Sequence, residues 1–289
     1  MSITSNEKFD LWLTWHVTER CNMDCTYCFN NGNKLNLPVS PVDVDSAIKT
    51  LDQTGKKVHV TLCGGECFLV PNILEVFRAI AERHYVSVVT NLTSPKIEEF
   101  ARTVDPEKVL FVVASFHLDE LINRNLVERF LSNYNLLMDS NFKIKVHSVA
   151  YPGIDKTRHL KYGFPIKFLA FFGDYQGKKY PESYSLDELY DFDIDMTKLS
   201  NAKYKGKRCC AGQSSLLIRP DGSITPCYYS HEDCGHIYSG IKPRKSGMIC
   251  QYDECLCNFN EFDKEMSHYF PRSLLMPALV RRFLRFIGV

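Results

Sequence analysis

The sequence predicts an α/β fold, a partial (β/α)6 TIM-like barrel followed by a small cysteine-rich C-terminal domain. Three observations point there. Short apolar strands alternate with amphipathic helices over the first 175 residues, the pattern of right-handed βαβ units in a parallel sheet. About six such units fit, short of the eight that close a barrel. After residue 175 the alternation stops, and seven of the twelve cysteines fall between Cys209 and Cys257.

Taken in order, "LWLTWHVT" (11–18) alternates and is aromatic-rich, and reads as strand one. "SPVDVDSAIKTL" (40–51) reads as a helix, with Ser40 as N-cap, Pro41 at the first helical position and acidic residues in the first turn. "KVHVTL" (57–62) is strand two, "PNILEVFRAIAERH" (71–84) an amphipathic helix, and "YVSVVT" (85–90) strand three. "SPKIEEFARTV" (94–104) is a short helix, "KVLFVVASF" (108–116) strand four, and "LDELINRNLVERFLSNYNLLMD" (118–139) one long helix. "FKIKVHSVAY" (142–151) and "FPIKFLAFF" (164–172) complete the six strands. The domain boundaries read as 1–190 for the barrel, 191–260 for the cysteine-rich domain and 261–289 for a basic amphipathic tail.

The 289 residues carry a net charge of +1, so no strong overall field recruits nucleic acid. The N-terminus is polar and no 18-residue apolar run occurs, so neither a signal peptide nor a membrane span is expected, and the reading is cytoplasmic. Thiols in that compartment stay reduced, which makes clustered cysteines metal ligands rather than disulfides. The tail "PRSLLMPALVRRFLRFIGV" mixes apolar residues with Arg281, Arg282 and Arg285. It can rest on an anionic membrane, but docking on the barrel or a frayed end is the preferred reading.

Chemistry collects on the loops after the strands in such folds. "CNMDCTYCF" follows strand one and spaces Cys21, Cys25 and Cys28 as Cys-x3-Cys-x2-Cys. Three thiolates leave a structural zinc ion one ligand short. They suit a four-iron cluster with one iron open. This loop resembles the signature of the radical S-adenosylmethionine superfamily in its spacing and in the aromatic Tyr27. The resemblance implies that the open iron chelates the amine and carboxylate of S-adenosylmethionine. It also implies that reductive cleavage yields a 5'-deoxyadenosyl radical, which abstracts a substrate hydrogen atom. Cys21, Cys25 and Cys28 are then both metal ligands and the catalytic centre. By the same resemblance Tyr27 is expected to stack near the adenine, with packing under the loop as its alternative role.

The loop after strand two, "LCGGECFLVP", resembles the superfamily's Gly-Gly-Glu motif. Gly64 and Gly65 permit close backbone approach, and the resemblance gives Glu66 the methionyl ammonium. Cys67 stands where the family usually has proline. "VVTNLTS" resembles the family's third-strand motif, which implies that Thr90 and Asn91 face the cofactor, and Ser115 at the end of strand four is expected to meet the ribose hydroxyls. His117 reads equally as a substrate contact or a hydrogen-bonded loop histidine, and His147 as a satisfied barrel histidine.

In "RCCAGQSSLLIRPDGSITPCYYS" the Asp-Gly pair signals a hairpin turn that brings Cys210 and Cys227 together. "CQYDECLC" adds Cys250, Cys255 and Cys257. The Cys210–Cys227 element, with Gly222 five positions before the second cysteine, resembles the opening half of the auxiliary-cluster domains called SPASM and twitch. The short remainder favours the twitch type with one auxiliary [4Fe-4S] cluster. Its ligands are expected to be Cys210, Cys227, Cys255 and Cys257, with Cys250 competing for one of the last two positions. Zinc is the alternative at this second site.

The functional expectation is oxidation or epimerisation of a sugar-like or other small substrate, with an external electron donor of flavodoxin or ferredoxin type. Epimerisation would need a hydrogen-donating thiol, and Cys67 and Cys209 lie closest to the predicted site loops among Cys63, Cys67, Cys209, Cys234 and whichever of Cys250 and its competitor is not a ligand. Only about ten residues precede strand one, so no leader-binding domain is expected. The alternatives are a peptide-modifying radical maturase and, from another class, a noncatalytic iron–sulfur or zinc protein.

Overall fold

A computed structural model describes residues 9–28, 34–195, 205–206 and 208–252. Its main sheet contains β1 (Leu11–Thr18), β2 (Val58–Gly64), β3 (Tyr85–Thr90), β4 (Val109–Ser115), β5 (Ile144–Ala150) and β6 (Ile166–Ala170), each pairing in parallel with the next. The intervening helices are α1 (Val44–Gln53), α2 (Ile73–Arg83), α3 (Ile97–Thr103), α4 (Leu118–Asn123), α5 (Val127–Asp139) and α6 (Lys156–Leu160). The six expected strands are present, in an open sheet rather than a closed barrel.

Period-two alternation assigns each strand an outer and an inner face. Leu13, Trp15, Val60, Leu62, Val88 and Val112 are buried against the helices. Trp12, His16, His59, Thr61, Cys63, Ser115, Lys145 and His147 therefore face the concave side of the half-barrel. Its floor is closed by His59, which is wholly buried, stacks on Trp12 at 5.5 Å and bonds Ser87 through Nε2 at 2.8 Å.

The long helix expected over 118–139 is two helices. Asn125 adopts φ +55°, and Leu126 donates its N–H back to Leu121 O while Asn125 donates to Ile122 O. This is a Schellman stop with asparagine in the left-handed position, invisible to a hydrophobic period that runs through it. α1 starts three residues later than Pro41 suggests. Asp43 is the cap, accepting from Ser46 N, and Val42 is held extended by two hydrogen bonds with Asn72.

After β6 the chain forms a small hairpin of β7 (Gly173–Tyr175) and β8 (Lys178–Tyr180), then α7 (Leu186–Asp191) behind a Ser185–Glu188 capping box. Tyr184 links this segment to the barrel: its hydroxyl donates to Ala150 O and accepts from Phe171 N.

The cysteine-rich segment is made of very short strands: β9 (Arg208–Cys209), β10 (Ser215–Ile218), β11 (Ile224–Thr225), β12 (Gly235–His236), β13 (Gly240–Ile241) and β14 (Met248–Ile249). The Asp-Gly hairpin is present as β10–β11, with Ile218 opposite Ile224. β10 also pairs in parallel with β1, from Trp12↔Ser215 to Trp15↔Ile218. The sheet therefore has eight strands, in the order β11-β10-β1-β2-β3-β4-β5-β6. Without β10, the outer edge of β1 would present unpaired backbone groups.

Candidate active site at the strand ends

The three cysteines lie at the C-terminal end of β1, each half-buried. Met23, fully buried, anchors the loop into the core, and its N–H reaches Cys21 Sγ at 3.4 Å. The rest is fixed from outside. Cys21 N donates to Lys34 O at 3.1 Å, and Asp24 N donates to Glu120 Oε2 at 2.8 Å. Lys34 is almost fully buried, with Nζ 3.4 Å from Cys25 O and 3.6 Å from Asp24. Burial, with smaller repulsion from neighbouring acidic groups and thiols, pushes Cys21 up to about 11 and Cys25 up to about 12; the Lys34 ammonium opposes both shifts. Lys34 thus supplies positive charge where thiolates would be bound.

The glycine pair has a definite steric cause. Gly64 sits at φ +127°, and a Cβ there would lie 2.1 Å from Thr18 O; at Gly65 it would lie 2.1 Å from Arg20 O. Gly65 N and Glu66 N donate to those same two carbonyls, each at 2.8 Å. The close approach is made to the backbone of the cysteine loop itself.

Glu66 is 1% exposed. Its Oε1 accepts from Thr90 Oγ1 at 2.8 Å and Phe68 N at 3.1 Å, and Oε2 accepts from Asn91 N at 2.7 Å. Burial holds its carboxyl above the usual range against these donors. Thr90 is turned to Glu66, so it organises the rim from inside. Asn91 continues the network: Nδ2 donates to Asn22 Oδ1 at 2.7 Å and lies 3.9 Å from Cys21 Sγ, while Asn22 bonds Thr93. The loops after β1, β2 and β3 therefore form one connected rim.

Tyr27 bonds His117 Nδ1 through its hydroxyl at 3.0 Å and packs on Tyr151 at 5.3 Å. Burial raises the Tyr27 phenol and lowers His117 to about 4, so His117 is a neutral, hydrogen-bonded loop residue. Ser115 is half-buried at the end of β4, opposite His147. Cys67 lies in the core at 0% exposure, its thiol on Val89 O at 3.6 Å. Cys63, two residues from Thr61 on the inner face of β2, is the cysteine of that loop on the lumen side.

In the C-terminal segment, Cys209, Cys210, Cys234 and Cys250 are buried and Cys227 is half-buried. β14 pairs β9, and Gly206 N donates to Cys250 O at 2.8 Å, which brings the Cys250 and Cys209–Cys210 segments together. Tyr252 stacks on Tyr229 at 5.0 Å and donates to its carbonyl, joining the Cys250 and Cys227 segments. Tyr228, next to Cys227, bonds His16 Nε2 at 2.7 Å inside the half-barrel. Cys255, Cys257 and the basic tail lie outside the described residues.

The residues present fit a polynuclear cluster better than a single ion. Among the described residues no three Cys, His, Asp or Glu side chains converge tightly enough to hold one metal ion. Cys21, Cys25 and Cys28 offer three half-buried thiols on one loop, the donor set of a four-iron cluster with one iron left open. Glu66 Oε2, with a single donor, keeps acceptor capacity for an ammonium.

Sequence reasoning missed Lys34, Asn22 and the His16–Tyr228 bond. Lys34 carried no signal, because a lysine six residues past a motif ordinarily reads as solvated. For His16 the signal was its inward phase on strand one.

The Radical SAM superfamily profile matches residues 15–159. The chain belongs to that superfamily and is a radical S-adenosylmethionine enzyme, using a [4Fe-4S] cluster and S-adenosylmethionine. It is 23% identical over 267 residues to GTP 3',8-cyclase from Aquifex aeolicus (strain VF5), covering 76% of this chain and 82% of the relative. Its fold is similar to that of Streptococcus suis SuiB bound to the precursor peptide SuiA (TM-score 0.57, 16% identity, 81% of this chain and 63% of SuiB). It is also similar to anSMEcpe with bound AdoMet (TM-score 0.55, 18% identity, 80% and 79%). The chain spans less than two thirds of the SuiB length. Among the described residues, no helix is long and apolar enough to cross a membrane.

Proposed function

We propose that this enzyme oxidises a small substrate held in the half-barrel, with the C-terminal cysteines binding an auxiliary [4Fe-4S] cluster that accepts the second electron. Cys21, Cys25 and Cys28 would hold the first cluster. When bound there with S-adenosylmethionine, it supplies a 5'-deoxyadenosyl radical for hydrogen abstraction. Glu66, Thr90 and Asn91 fix the rim, and Lys34 offsets negative charge beneath it. Ser115 and Tyr27 border the space above the lumen, where ribose and adenine would lie.

The observation that carries oxidation over epimerisation is the His16–Tyr228 bond. It joins the inner wall to the residue beside Cys227, so the auxiliary site adjoins the substrate chamber. Burial and Arg219 lower His16 to about 4, so at pH 7 it is a neutral hydrogen-bonding residue and a weak base; the substrate's hydroxyl proton would leave to solvent as the second electron departs. Epimerisation is the competing reading, with Cys63 as the lumen-side thiol. The tilt toward a small substrate draws on GTP 3',8-cyclase, a relative by sequence.

The test is anaerobic reconstitution, iron counting and product analysis in deuterated water. Oxidation expects about eight irons per chain, 5'-deoxyadenosine, and product without solvent deuterium at the abstracted carbon. Deuterium there would support the thiol-donor reading, and absence of 5'-deoxyadenosine would remove both.

A further inference from the structure

The hairpin that extends the sheet beside β1 also sets one charged side chain against the chamber. β10 pairs β1 with Leu217 opposite Thr14. Leu216 and Ile218 pack into the outer core with Trp15, so Leu217 and, two residues on, Arg219 leave from the inner face. Arg219 N donates to Ser223 O at 2.9 Å, which carries the β10–β11 ladder and its phase one residue past Ile218. His16 follows Thr14 by the same two residues on β1, and Cys63 is its register partner on β2. Arg219, His16 and Cys63 therefore form one inward-facing row across three adjacent strands. Their contacts fit that placement. Arg219 Nη2 donates to Tyr228 O at 3.3 Å, the Tyr228 hydroxyl bonds His16 Nε2 at 2.7 Å, and the guanidinium charge reaches the His16 ring.

This row sets a cation among uncharged groups. Arg219 is half-buried, and among the described residues it makes no ion pair with Asp or Glu. Asp221, in the adjoining turn, is exposed, engages Ser223 through Oδ1, and feels Arg219 as the weakest of its influences. His16 is neutral at pH 7, and burial pushes the Cys63 thiol up to about 12, so neither neighbour supplies negative charge. The Tyr228 carbonyl takes one guanidinium N–H and leaves other donors of the fork for a ligand. A half-buried cation beside uncharged walls is stabilised by an anion, and the planar fork fits a carboxylate through two parallel hydrogen bonds. One positive charge balances one carboxylate.

We propose that Arg219, delivered to the chamber by the cysteine-rich segment, anchors a carboxylate of the substrate, which is then a small hydroxy acid with its acid end against β1 and β10 beside His16. This rests on the half-barrel being the substrate chamber, as in the proposed function. The hairpin that carries Cys227 would then also set substrate specificity.

The test uses the anaerobically reconstituted full chain, saturated with S-adenosylmethionine without reductant and titrated calorimetrically with glycolate at fixed ionic strength. Ethylene glycol and inorganic phosphate are the uncharged and non-planar controls. Saturable glycolate binding is expected, with no ethylene glycol binding and phosphate roughly fivefold weaker or more. Arg219→Gln, which keeps a donor for Tyr228 O, should weaken glycolate roughly tenfold, and Arg219→Lys, a point charge without the fork, roughly threefold. If Arg219→Gln fails to fold, phenylglyoxal labelling of the wild-type chain, read by peptide mass spectrometry, decides. Glycolate should slow modification of Arg219 roughly fivefold by occupying its fork, and leave the exposed Arg102 unaffected. Equal binding by wild type and Arg219→Gln, phosphate as tight as glycolate, no glycolate binding by wild type, or Arg219 labelling unchanged by glycolate overturns the anchor. Wild type that forms 5'-deoxyadenosine on reduction yet does not bind glycolate removes this inference alone. Glycolate bound through Arg219 in a chain that forms no 5'-deoxyadenosine removes the functional reading and leaves the anchor.

Discussion

The two cysteine-bearing regions are built on opposite plans. Cys21, Cys25 and Cys28 fall within eight consecutive residues, and the loop carrying them is fastened by Gly65, Glu66, Asn91, Lys34 and Glu120 from elsewhere in the chain. Cys210, Cys227 and Cys250 are spread over 41 residues, each one or two residues past the end of a two-residue strand. They are joined by the β9–β14 ladder and the Tyr229–Tyr252 pair. In the first region the ligand set is local and its support is distant. In the second the proposed ligand set is itself assembled by tertiary structure. The first should therefore tolerate little change in its supports, and the second should depend on ligand binding for its own order.

The largest effect that can break this comparison is Cys21→Ala with Cys25→Ala and Cys28→Ala. Formation of 5'-deoxyadenosine should fall to background, and iron should fall from about eight to about four per chain. Loss of all iron would mean that the two regions are not independent. Next is Gly65→Ala, whose new Cβ meets Arg20 O at 2.1 Å. The cysteine loop must shift, and cofactor cleavage should drop on the order of a hundredfold, since small misplacements at a reacting centre cost that much. A third change sharpens the role of the support. Glu66→Ala strands the Thr90 hydroxyl and the Phe68 and Asn91 amides. It should cost about 3 kcal/mol, lowering Tm by roughly 5–10 °C in a melting experiment.

Tyr228→Phe removes the side-chain bond between His16 and the Cys227 segment while leaving the β1–β10 ladder in place. Iron content should be unchanged, and the rate of substrate oxidation should fall roughly tenfold. The smallest effect lies in the hairpin of the second region. Asp221 Oδ1 accepts from Ser223 N and Oγ, which lowers the carboxyl below its usual value. A lowered folded-state value means that the stabilisation is present above the unfolded value and is lost as acid protonates the folded carboxylate. Asp221→Ala should therefore cost about 0.5 kcal/mol at pH 7, small because the group is solvent-screened. Melts of wild type and variant should converge as the pH falls below the ordinary carboxylate range.

Several site features were legible because their signals are short-range. The cysteine spacing, the glycine pair after strand two and the Asp-Gly turn each depend on a few consecutive residues. Other features were not. Cys63 and Cys67 are four residues apart, but one lies on a strand's inner face and the other in a 3-10 turn buried in the core. Glu66 reads as an exposed acceptor in a Gly-rich loop, and becomes an internal brace only when β3 delivers Thr90 and Asn91 beside it.

By itself the sequence determined the order and phase of the six strand–helix units, and that three thiols and two glycines follow the first two strands. Steric and hydrophobic patterning over a few residues is enough for that. Only the tertiary structure decided that β10 continues the sheet beside β1, that Asn125 splits one helix into two, and that His16 meets Tyr228. The first and last depend on pairings between segments about 200 residues apart, up to 212 for His16 and Tyr228, where backbone hydrogen bonding and burial are satisfied by the whole chain at once; the helix break is local, but its left-handed asparagine leaves no trace in the hydrophobic period.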